Sequence, residues 1–275
     1  FIDGEWCEGS TAQTIEVENP ATGEVVALVC CADTSDLDRA LEAADRGFKV
    51  WSKTSPWDRS KILNRCAALI EERMTELAVL MTLEQGKPLA ESRGELDRSV
   101  DVFQWCAGEA IRTYGRLLPQ RQPGYRQTTI KEPIGPVAAF APWNFPGVMF
   151  GRKIAAALGA GCSMIIKPSE ESPGVSSGIV KACQDAGVPD GVLNMVMGDP
   201  AMISDYLIRS PIIAKVSLTG SVSVGRQLSK LAGELLKPAT MELGGHAPVL
   251  VFGDADAEKA ADMTAGFKYR NAGQV

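Results

Sequence analysis

The 275-residue chain is 45% hydrophobic and 23% charged, which is typical of a globular protein with a sizeable core. Its formal net charge of -6 at pH 7 argues against nucleic acid or a membrane surface as the main partner, because both favour clustered Lys and Arg. Seven scattered cysteines, with no Cys-x-x-Cys pair, predict neither a disulfide framework nor a zinc site.

The sequence also shows no sign of export or membrane insertion. Its first residues lack the basic start and apolar core of a signal peptide, and no apolar run approaches membrane-spanning length. Reduced cysteines are typical of the cytosol. We therefore expect a cytoplasmic protein that binds no metal.

The first half of the chain is predicted to be a β-hairpin followed by helices. Alternating apolar residues separated by turn residues predict the hairpin within residues 1–31. Apolar residues at three- and four-residue steps predict a helix capped by Thr34, a helical stretch at 56–81 and a long helix at 89–114. Residues 115–136 are rich in Gly, Pro, Gln and Arg around a short alternating run, which predicts an arm or hairpin that leaves the body.

After residue 136, short apolar strands alternate with helices. Strands are predicted at 137–140, 163–166, 192–196, 214–218 and 249–252, and helices at 147–158, 173–186, 201–208, 221–231 and 257–269. This alternation predicts an α/β fold with a parallel sheet and right-handed crossovers. Ligands of such sheets bind at the carboxyl ends of the strands.

Lys167 and Glu170 follow one of these strands, three residues apart. A cation and a carboxylate at that place can hydrogen-bond a pair of vicinal hydroxyls, as on a ribose. They can equally belong to the first turn of a helix, with Glu170 stabilised by the helix dipole and Lys167 solvated. The residue types alone leave both interpretations open.

A second candidate segment, Gly-Ser-Val-Ser-Val-Gly at 220–225, lies between a strand and a helix. Free N–H groups at the helix start could bind a phosphate, and a simple helix cap at Ser221 is the alternative. Arg226 and Gln227 stand where an ATPase phosphate loop needs Lys and Ser or Thr, so triphosphate hydrolysis is not predicted. The Gly-x-Gly-x-x-Gly fingerprint of ordinary dinucleotide-binding domains is absent.

Two further residues suggest catalysis. Asn144 lies within Pro-Trp-Asn-Phe-Pro, where its amide could donate to a developing oxyanion or simply belong to a tight turn. Glu242 precedes Leu243 and two glycines, and is interpreted as either a general base or a solvated loop residue. The only histidine, His246, is interpreted as a structural hydrogen-bonding residue.

Together, the ordered motifs Pro-Trp-Asn-Phe-Pro, Lys-Pro-Ser-Glu, Thr-Gly-Ser and Glu-Leu-Gly-Gly resemble those of the aldehyde dehydrogenase superfamily, and the resemblance covers the whole chain. The residues at 84–89, 241–248 and 268–274 are similar to those of the succinic and α-ketoglutaric semialdehyde dehydrogenases. The resemblance implies NAD-dependent oxidation of an aldehyde, with a dicarboxylate semialdehyde as the substrate.

The resemblance also implies how the chain is divided. An NAD-binding domain, built on a parallel sheet, would comprise residues 1–114 and 137–242. Residues 115–136 would form a β-arm for oligomerisation, and 243–275 would begin a second α/β domain that is catalytic. Enzymes of this kind are homodimers or homotetramers, and we expect the same here.

Residue roles follow from the same resemblance. Asn144 would donate to the oxyanion of a thiohemiacetal, Glu242 would activate the nucleophile or the hydrolytic water, and Lys153 would lie near them. Cofactor contacts would come from Trp143, Asn144, Lys167, Ser169, Glu170, Gly220, Ser221, Gly225 and Leu243. Glu170 should repel a 2′-phosphate, so NAD is expected rather than NADP.

The nucleophilic cysteine of the family would stand directly after Val275, and none of the seven cysteines present matches its place. The thiolate attacks the aldehyde, and the thioester formed after hydride loss is hydrolysed by water. We therefore expect this chain to be the cofactor-binding part of an aldehyde dehydrogenase. A non-catalytic nucleotide-binding module is the alternative. A reductase of acyl phosphates or acyl-CoA is disfavoured, because it would not need a base such as Glu242.

Overall fold

The structure is a computed structural model that describes all 275 residues and contains nine α-helices and nine strands. The strands are β1 (Thr14–Glu18), β2 (Val25–Cys30), β3 (Arg116–Leu118), β4 (Gln127–Thr129), β5 (Val137–Phe140), β6 (Met164–Lys167), β7 (Leu193–Met195), β8 (Lys215–Gly220) and β9 (Ala239–Leu243). The helices are α1 (Thr34–Trp51), α2 (Pro56–Glu72), α3 (Met74–Gln85), α4 (Leu89–Ala110), α5 (Val148–Gly159), α6 (Pro173–Asp185), α7 (Pro200–Arg209), α8 (Val222–Glu234) and α9 (Ala257–Lys268). None of these helices is both long enough and apolar enough to pass through a membrane.

Five strands form one parallel sheet in the order β7-β6-β5-β8-β9. Its central strands are short, apolar and buried on both faces, as is usual where helices cover both sides of a parallel sheet. The α/β prediction is thereby confirmed. The strand order reverses between β5 and β8, and at such a point the carboxyl ends of the strands leave a crevice for a ligand.

Helices cover both faces of this sheet. On one face α2 to α6 pack around a core that contains Leu63, Phe103 and Phe150. On the other face α1, α7 and α8 contribute a second core with Leu37 and Leu207. Successive residues of β5 and β6 point alternately into the two cores, which is why these two strands are apolar up to Lys167 at the end of β6.

Two antiparallel hairpins lie outside the sheet. β1 pairs with β2, and β3 pairs with β4, so the hairpins predicted within 1–31 and 115–136 are confirmed. The second hairpin is the arm, and its apolar side chains include Leu117 and Ile130, which are 74% and 75% exposed.

Several predicted boundaries in the helical half need correction. Asp33, and not Thr34, caps α1, because its carboxylate accepts from the N–H groups of Ser35 at 2.8 Å and Asp36 at 3.1 Å. The stretch predicted at 56–81 is two helices, since Arg73 leaves the helical conformation with ψ near 8°. The helix predicted at 89–114 ends at Ala110.

The far edge of the sheet also differs from the prediction. Residues 249–252 form no strand, and all four side chains are at least half exposed, because no neighbouring strand offers them a ladder. β9, which was not predicted, takes the edge position beside β8. Its Glu242 and the glycines that follow favoured a loop, yet pairing with β8 supplies the hydrogen bonds that hold an extended backbone.

Candidate active site

The sheet register brings four of the candidate segments to one edge. Phe140 of β5 lies opposite Lys167 of β6 and Leu218 of β8, and Thr219 of β8 lies opposite Glu242 of β9. Neighbouring strands are about 4.8 Å apart, so the ends of β6 and β8 lie about 10 Å apart across β5. The loop with Asn144, the end of β6, the start of α8 and β9 therefore share the carboxyl edge of the sheet.

Lys167 ends β6 instead of following it, and its side chain is only 5% exposed. The ammonium pairs with the Glu170 carboxylate and also donates to the carbonyl oxygen of Pro168 at 3.2 Å. Lys167 is therefore not a solvated residue. Glu170 does not cap the following helix either, because the N–H of Gly174 in α6 donates to Glu84 at 2.8 Å.

The loop after β6 borders a cleft on its outer side. Ser169 is buried and donates to the carboxylate of Glu171, while Trp143 after β5 is half exposed. Trp143, Glu170 and Glu171 line this cleft together with Glu16, Glu18, Glu84 and Gln274. Four glutamates besides Glu84 make the cleft acidic, which disfavours an additional negative charge in it.

Ser221 caps α8, as one of its two predicted interpretations proposed. Its hydroxyl oxygen accepts from the Val224 N–H at 3.3 Å. No side chain caps the N–H groups of Val222 and Ser223, so the first turn of this helix can still donate to an anion. The exposed side chains of Val222 and Val224 give the same end of α8 an apolar surface.

Gly225 has a packing role in this structure. Its place on α8 is buried, and a side chain there would collide with the Leu243 side chain of β9. Glycine at this position thus allows the helix to approach the edge strand closely. Gly220 ends β8 and pairs with Leu243, so both glycines lie next to Leu243, whose side chain is partly exposed.

Asn144 is held by three hydrogen bonds. Its backbone carbonyl oxygen accepts from Lys87 Nζ at 2.9 Å and from Asn271 Nδ2 at 2.7 Å. Its own Nδ2 donates to the carbonyl oxygen of Gln274 at 2.8 Å. The amide that was predicted to bind an oxyanion therefore faces the turn that precedes Val275. The contacts of Lys87 and Asn271 with Asn144 were not predicted, since Gly86-Lys87-Pro88 reads as a helix break.

Glu242 lies in β9, so it belongs to a strand and not to a loop. Its side chain is exposed in this chain. Lys153 of α5 is half buried and donates to the Ser217 hydroxyl at 2.9 Å. Burial lowers the pKa of Lys153 to about 8, and the nearby Glu242 carboxylate opposes this shift. The two side chains therefore interact electrostatically, and Lys153 can hold or release a proton near neutral pH.

Glu84 is the most perturbed carboxyl group near this edge. It is 3% exposed and accepts hydrogen bonds from the N–H groups of Gly174 and Val175 at the start of α6. Burial raises the pKa of Glu84 to about 7, and the two backbone hydrogen bonds only partly offset the shift. The group therefore titrates close to neutral pH.

We expect Glu84→Gln to weaken the pH dependence of stability. The pKa of Glu84 is raised in the folded state from 4.5 to about 7, so the folded chain binds this proton more tightly. The resulting stabilisation, on the order of 3 kcal/mol, is complete below the unfolded pKa and is lost as the pH rises through 7. Urea unfolding at about pH 5 and about pH 8 gives the two free energies of unfolding, and their difference measures this stabilisation.

The matched control for this measurement is Glu76→Gln, which changes an exposed carboxylate on the same helix. Glu76→Gln should retain the wild-type loss of stability between the two pH values. An equal loss in Glu84→Gln and in the wild type would contradict the assignment to Glu84.

Comparison with known proteins places the chain in a family. A family model described as "Aldehyde dehydrogenase family" matches residues 6–275. The 4-(hydroxymethyl)benzenesulfonate dehydrogenase TsaD1 of Comamonas testosteroni is 45% identical over the whole chain, which covers 58% of that protein. The succinate-semialdehyde dehydrogenase [NADP(+)] GabD of Escherichia coli K12 is 40% identical, and the chain covers 57% of it.

A solved structure gives the same result. The succinate-semialdehyde dehydrogenase from Burkholderia pseudomallei superposes on the whole chain with a TM-score of 0.98 and 41% identity, and the chain covers 57% of it. The predicted resemblance and the predicted aldehyde dehydrogenase-like fold are thus confirmed, while the chain spans little more than half of these relatives. The chain belongs to the aldehyde dehydrogenase family.

Proposed function

We propose that the whole protein is an NAD(P)-dependent aldehyde dehydrogenase. The observation that carries the proposal is the placement of the Lys167–Glu170 pair, the open N-terminus of α8 and the Asn144 amide on one edge of the sheet. A diol-binding pair, an anion-binding helix start and an oxyanion donor are the groups that a dehydrogenase with a dinucleotide cofactor needs.

The donor set on this edge suits a dinucleotide. The carboxylate of Glu170 and the ammonium of Lys167 can bind the hydroxyls of a ribose, and the uncapped N–H groups of Val222 and Ser223 can bind a pyrophosphate. Val224 adds apolar surface beside them. Trp143, Ser169, Gly220, Gly225 and Leu243 complete the proposed cofactor contacts. When bound, the nicotinamide ring accepts the hydride that the aldehyde carbon loses.

The remaining chemistry is assigned to side chains. We propose that the cysteine expected directly after Val275 attacks the aldehyde carbon and that Asn144 Nδ2 donates to the oxygen of the resulting thiohemiacetal. After hydride loss the carbon is a thioester, which water hydrolyses with Glu242 as the base. Lys153, next to Glu242, can take up or release a proton during this step.

NAD is proposed in preference to NADP because of the charge around Glu170. Its carboxylate, only partly exposed and bordering the acidic cleft, would meet the 2′-phosphate of NADP at short range. One similar enzyme, GabD of E. coli, is named as NADP-dependent, so the preference has to be measured for this chain.

We expect Glu170→Gln to bind NADP about tenfold more tightly than the wild type, a change of about 1.4 kcal/mol, because the repulsion is removed. The amide can still accept from Lys167 and contact a ribose, so NAD affinity should fall by less than this factor. Fluorescence titration of the chain with each nucleotide, with Trp143 close to the site, gives both affinities. Glu72→Gln, an exposed carboxylate on α2, is the control and should change neither. Equal affinities in the wild type would contradict the proposed preference.

The substrate is proposed to be a dicarboxylate semialdehyde, succinic or α-ketoglutaric. This proposal depends on the residues at 84–89, 241–248 and 268–274, and on relatives named as succinate-semialdehyde dehydrogenases. Assays of the whole protein with both semialdehydes and NAD, followed by nicotinamide absorbance, test it. Turnover would support the proposal, whereas NAD binding without oxidation of any aldehyde would favour a non-catalytic nucleotide-binding module.

The division of the chain and its assembly are proposals as well. We propose that 1–114 and 137–242 form the cofactor domain and that 243–275 begins the catalytic domain, in a cytoplasmic protein. The exposed apolar side chains of the arm at 115–136 support its use in a homodimer or homotetramer. Sedimentation of the whole protein with and without Leu117→Ser and Ile130→Ser on the arm would test that use.

A further inference from the structure

Lys87 and Glu95 form an ion pair buried between α4 and the loop that carries Asn144. Their side chains are 1% and 3% exposed, and the ammonium donates directly to the carboxylate. A buried ion pair contributes little net stability, because desolvation of the charges offsets their attraction. Fold stability alone therefore does not account for a charged pair at this depth.

The contacts of the pair converge on one short segment. Lys87 Nζ donates to the Asn144 carbonyl oxygen at 2.9 Å and lies 4.5 Å from the centre of the Phe145 ring. The other oxygen of Glu95 accepts from the N–H groups of Gly147 at 2.7 Å and Val148 at 3.0 Å. The pair thus holds the backbone on both sides of Phe145, which directly follows Asn144.

The Asn144 amide has little other support. The backbone carbonyl oxygen of Asn144 accepts from one more donor, Asn271 Nδ2, and the side-chain Nδ2 donates to one acceptor, the Gln274 carbonyl oxygen. Both of those partners belong to the turn before Val275, at the catalytic edge. Lys87 ties the backbone of Asn144 to the body of the fold, and Glu95 holds Lys87 together with the N–H groups of Gly147 and Val148 three and four residues further along.

We propose that Lys87 and Glu95 are positioning residues for Asn144, holding its backbone so that Nδ2 faces the oxygen of the reacting aldehyde. The proposal rests on the proposed function of Asn144. It assigns a role to Lys87, which the proposed cofactor contacts and the proposed base do not use. An oxyanion donor must be held within a fraction of an ångström of its place to be effective.

The first test is a double-mutant cycle on kcat in the whole protein. Lys87→Met should lower kcat about 10- to 100-fold, a part of the effect that an oxyanion donor supplies, while the affinity for NAD stays within about twofold. In the Asn144→Ala background, Lys87→Met should change kcat less than about threefold, because the group it positions is gone. Equal effects in both backgrounds would overturn the proposal.

A second variant separates positioning from stability. Lys87→Met/Glu95→Gln keeps an oxygen acceptor for the Gly147 and Val148 N–H groups and leaves no unpaired charge. We expect the melting temperature to recover relative to Lys87→Met alone, while kcat stays low. Recovery of kcat together with the melting temperature would show a merely structural role. Asp185→Asn, which breaks the Arg73–Asp185 pair away from the site, is the control and should leave kcat unchanged.

Nuclear magnetic resonance of the ¹⁵N-labelled 275-residue chain tests positioning without catalysis. The side-chain amide signals of Asn144, assigned by their loss in Asn144→Asp, should shift in Lys87→Met and not in Asp185→Asn. Unchanged signals in Lys87→Met would overturn the proposal. Shifted signals in a protein that oxidises no aldehyde would support positioning while contradicting the proposed function.

Discussion

Asn144→Ala in the whole protein is expected to lower kcat by about 10²- to 10³-fold, with the affinity for NAD changed by less than about twofold. The reason is that the Nδ2 group, already oriented toward the Gln274 carbonyl oxygen in this structure, would be the side-chain donor to the oxyanion. Steady-state kinetics with a saturating semialdehyde measure kcat, and fluorescence titration measures NAD binding. Asn64→Ala removes an exposed amide that donates to the Ser60 carbonyl oxygen on α2, and should change neither quantity.

Asn144→Asp distinguishes an oxyanion donor from a residue that only shapes a turn. Asp is as favourable as Asn in tight turns, so a role confined to the Pro-Trp-Asn-Phe-Pro turn would leave kcat close to that of the wild type. An ionised carboxylate cannot donate to an oxyanion and repels it, so the proposed role makes Asn144→Asp at least as impaired as Asn144→Ala. High activity in Asn144→Asp would refute the assignment of Asn144.

The central sheet could be predicted because its signals are local. The bounds of β5 coincide with the strand predicted at 137–140, where four small or apolar residues follow a Gly-Pro turn. The edge strand could not be predicted in the same way. β9 contains a charged residue and precedes two glycines, and only its pairing with β8 makes it extended.

Residues 249–252 show the opposite error. Their β-branched and aromatic side chains satisfy the local preference for a strand, but nothing in the structure pairs with them. A strand depends on its neighbour as much as on its own sequence. Local pattern alone therefore missed the edge strand β9 and predicted a strand at 249–252 that the structure does not contain.

The same difference between local and long-range signals separates the residues of the candidate site. Asn144, Lys167, Ser221 and Glu242 belong to short motifs whose residue types suggest chemistry wherever they stand. The supports of Asn144 do not, since Lys87 is 57 residues away from it in sequence and Asn271 is 127 residues away. A buried lysine beside a proline has no local signature of its purpose, and only the folded chain shows which carbonyl oxygen it contacts.

Glu242→Gln in the whole protein is expected to lower kcat by about 10²- to 10⁴-fold, the range of a positioned general base. In this chain the side chain is exposed near the end of β9, and its carboxylate raises the pKa of Lys153 against the effect of burial, so the two groups lie close enough to interact. Glutamine keeps the size of the side chain and one acceptor oxygen but cannot take up a proton. Glu76→Gln, an exposed carboxylate on α3, is the matched control and should retain full activity.

Rapid mixing of Glu242→Gln with NAD and semialdehyde tells which step needs the base. If Glu242 activates the hydrolytic water, hydride transfer precedes the block, and a burst of about one reduced nicotinamide per site should appear before slow turnover. If Glu242 activates the thiol, attack itself is slow and no burst should appear. Because Glu242 stands in an ordered strand, a wild-type kcat in Glu242→Gln cannot be ascribed to a rearranged loop, and would remove this residue from the mechanism.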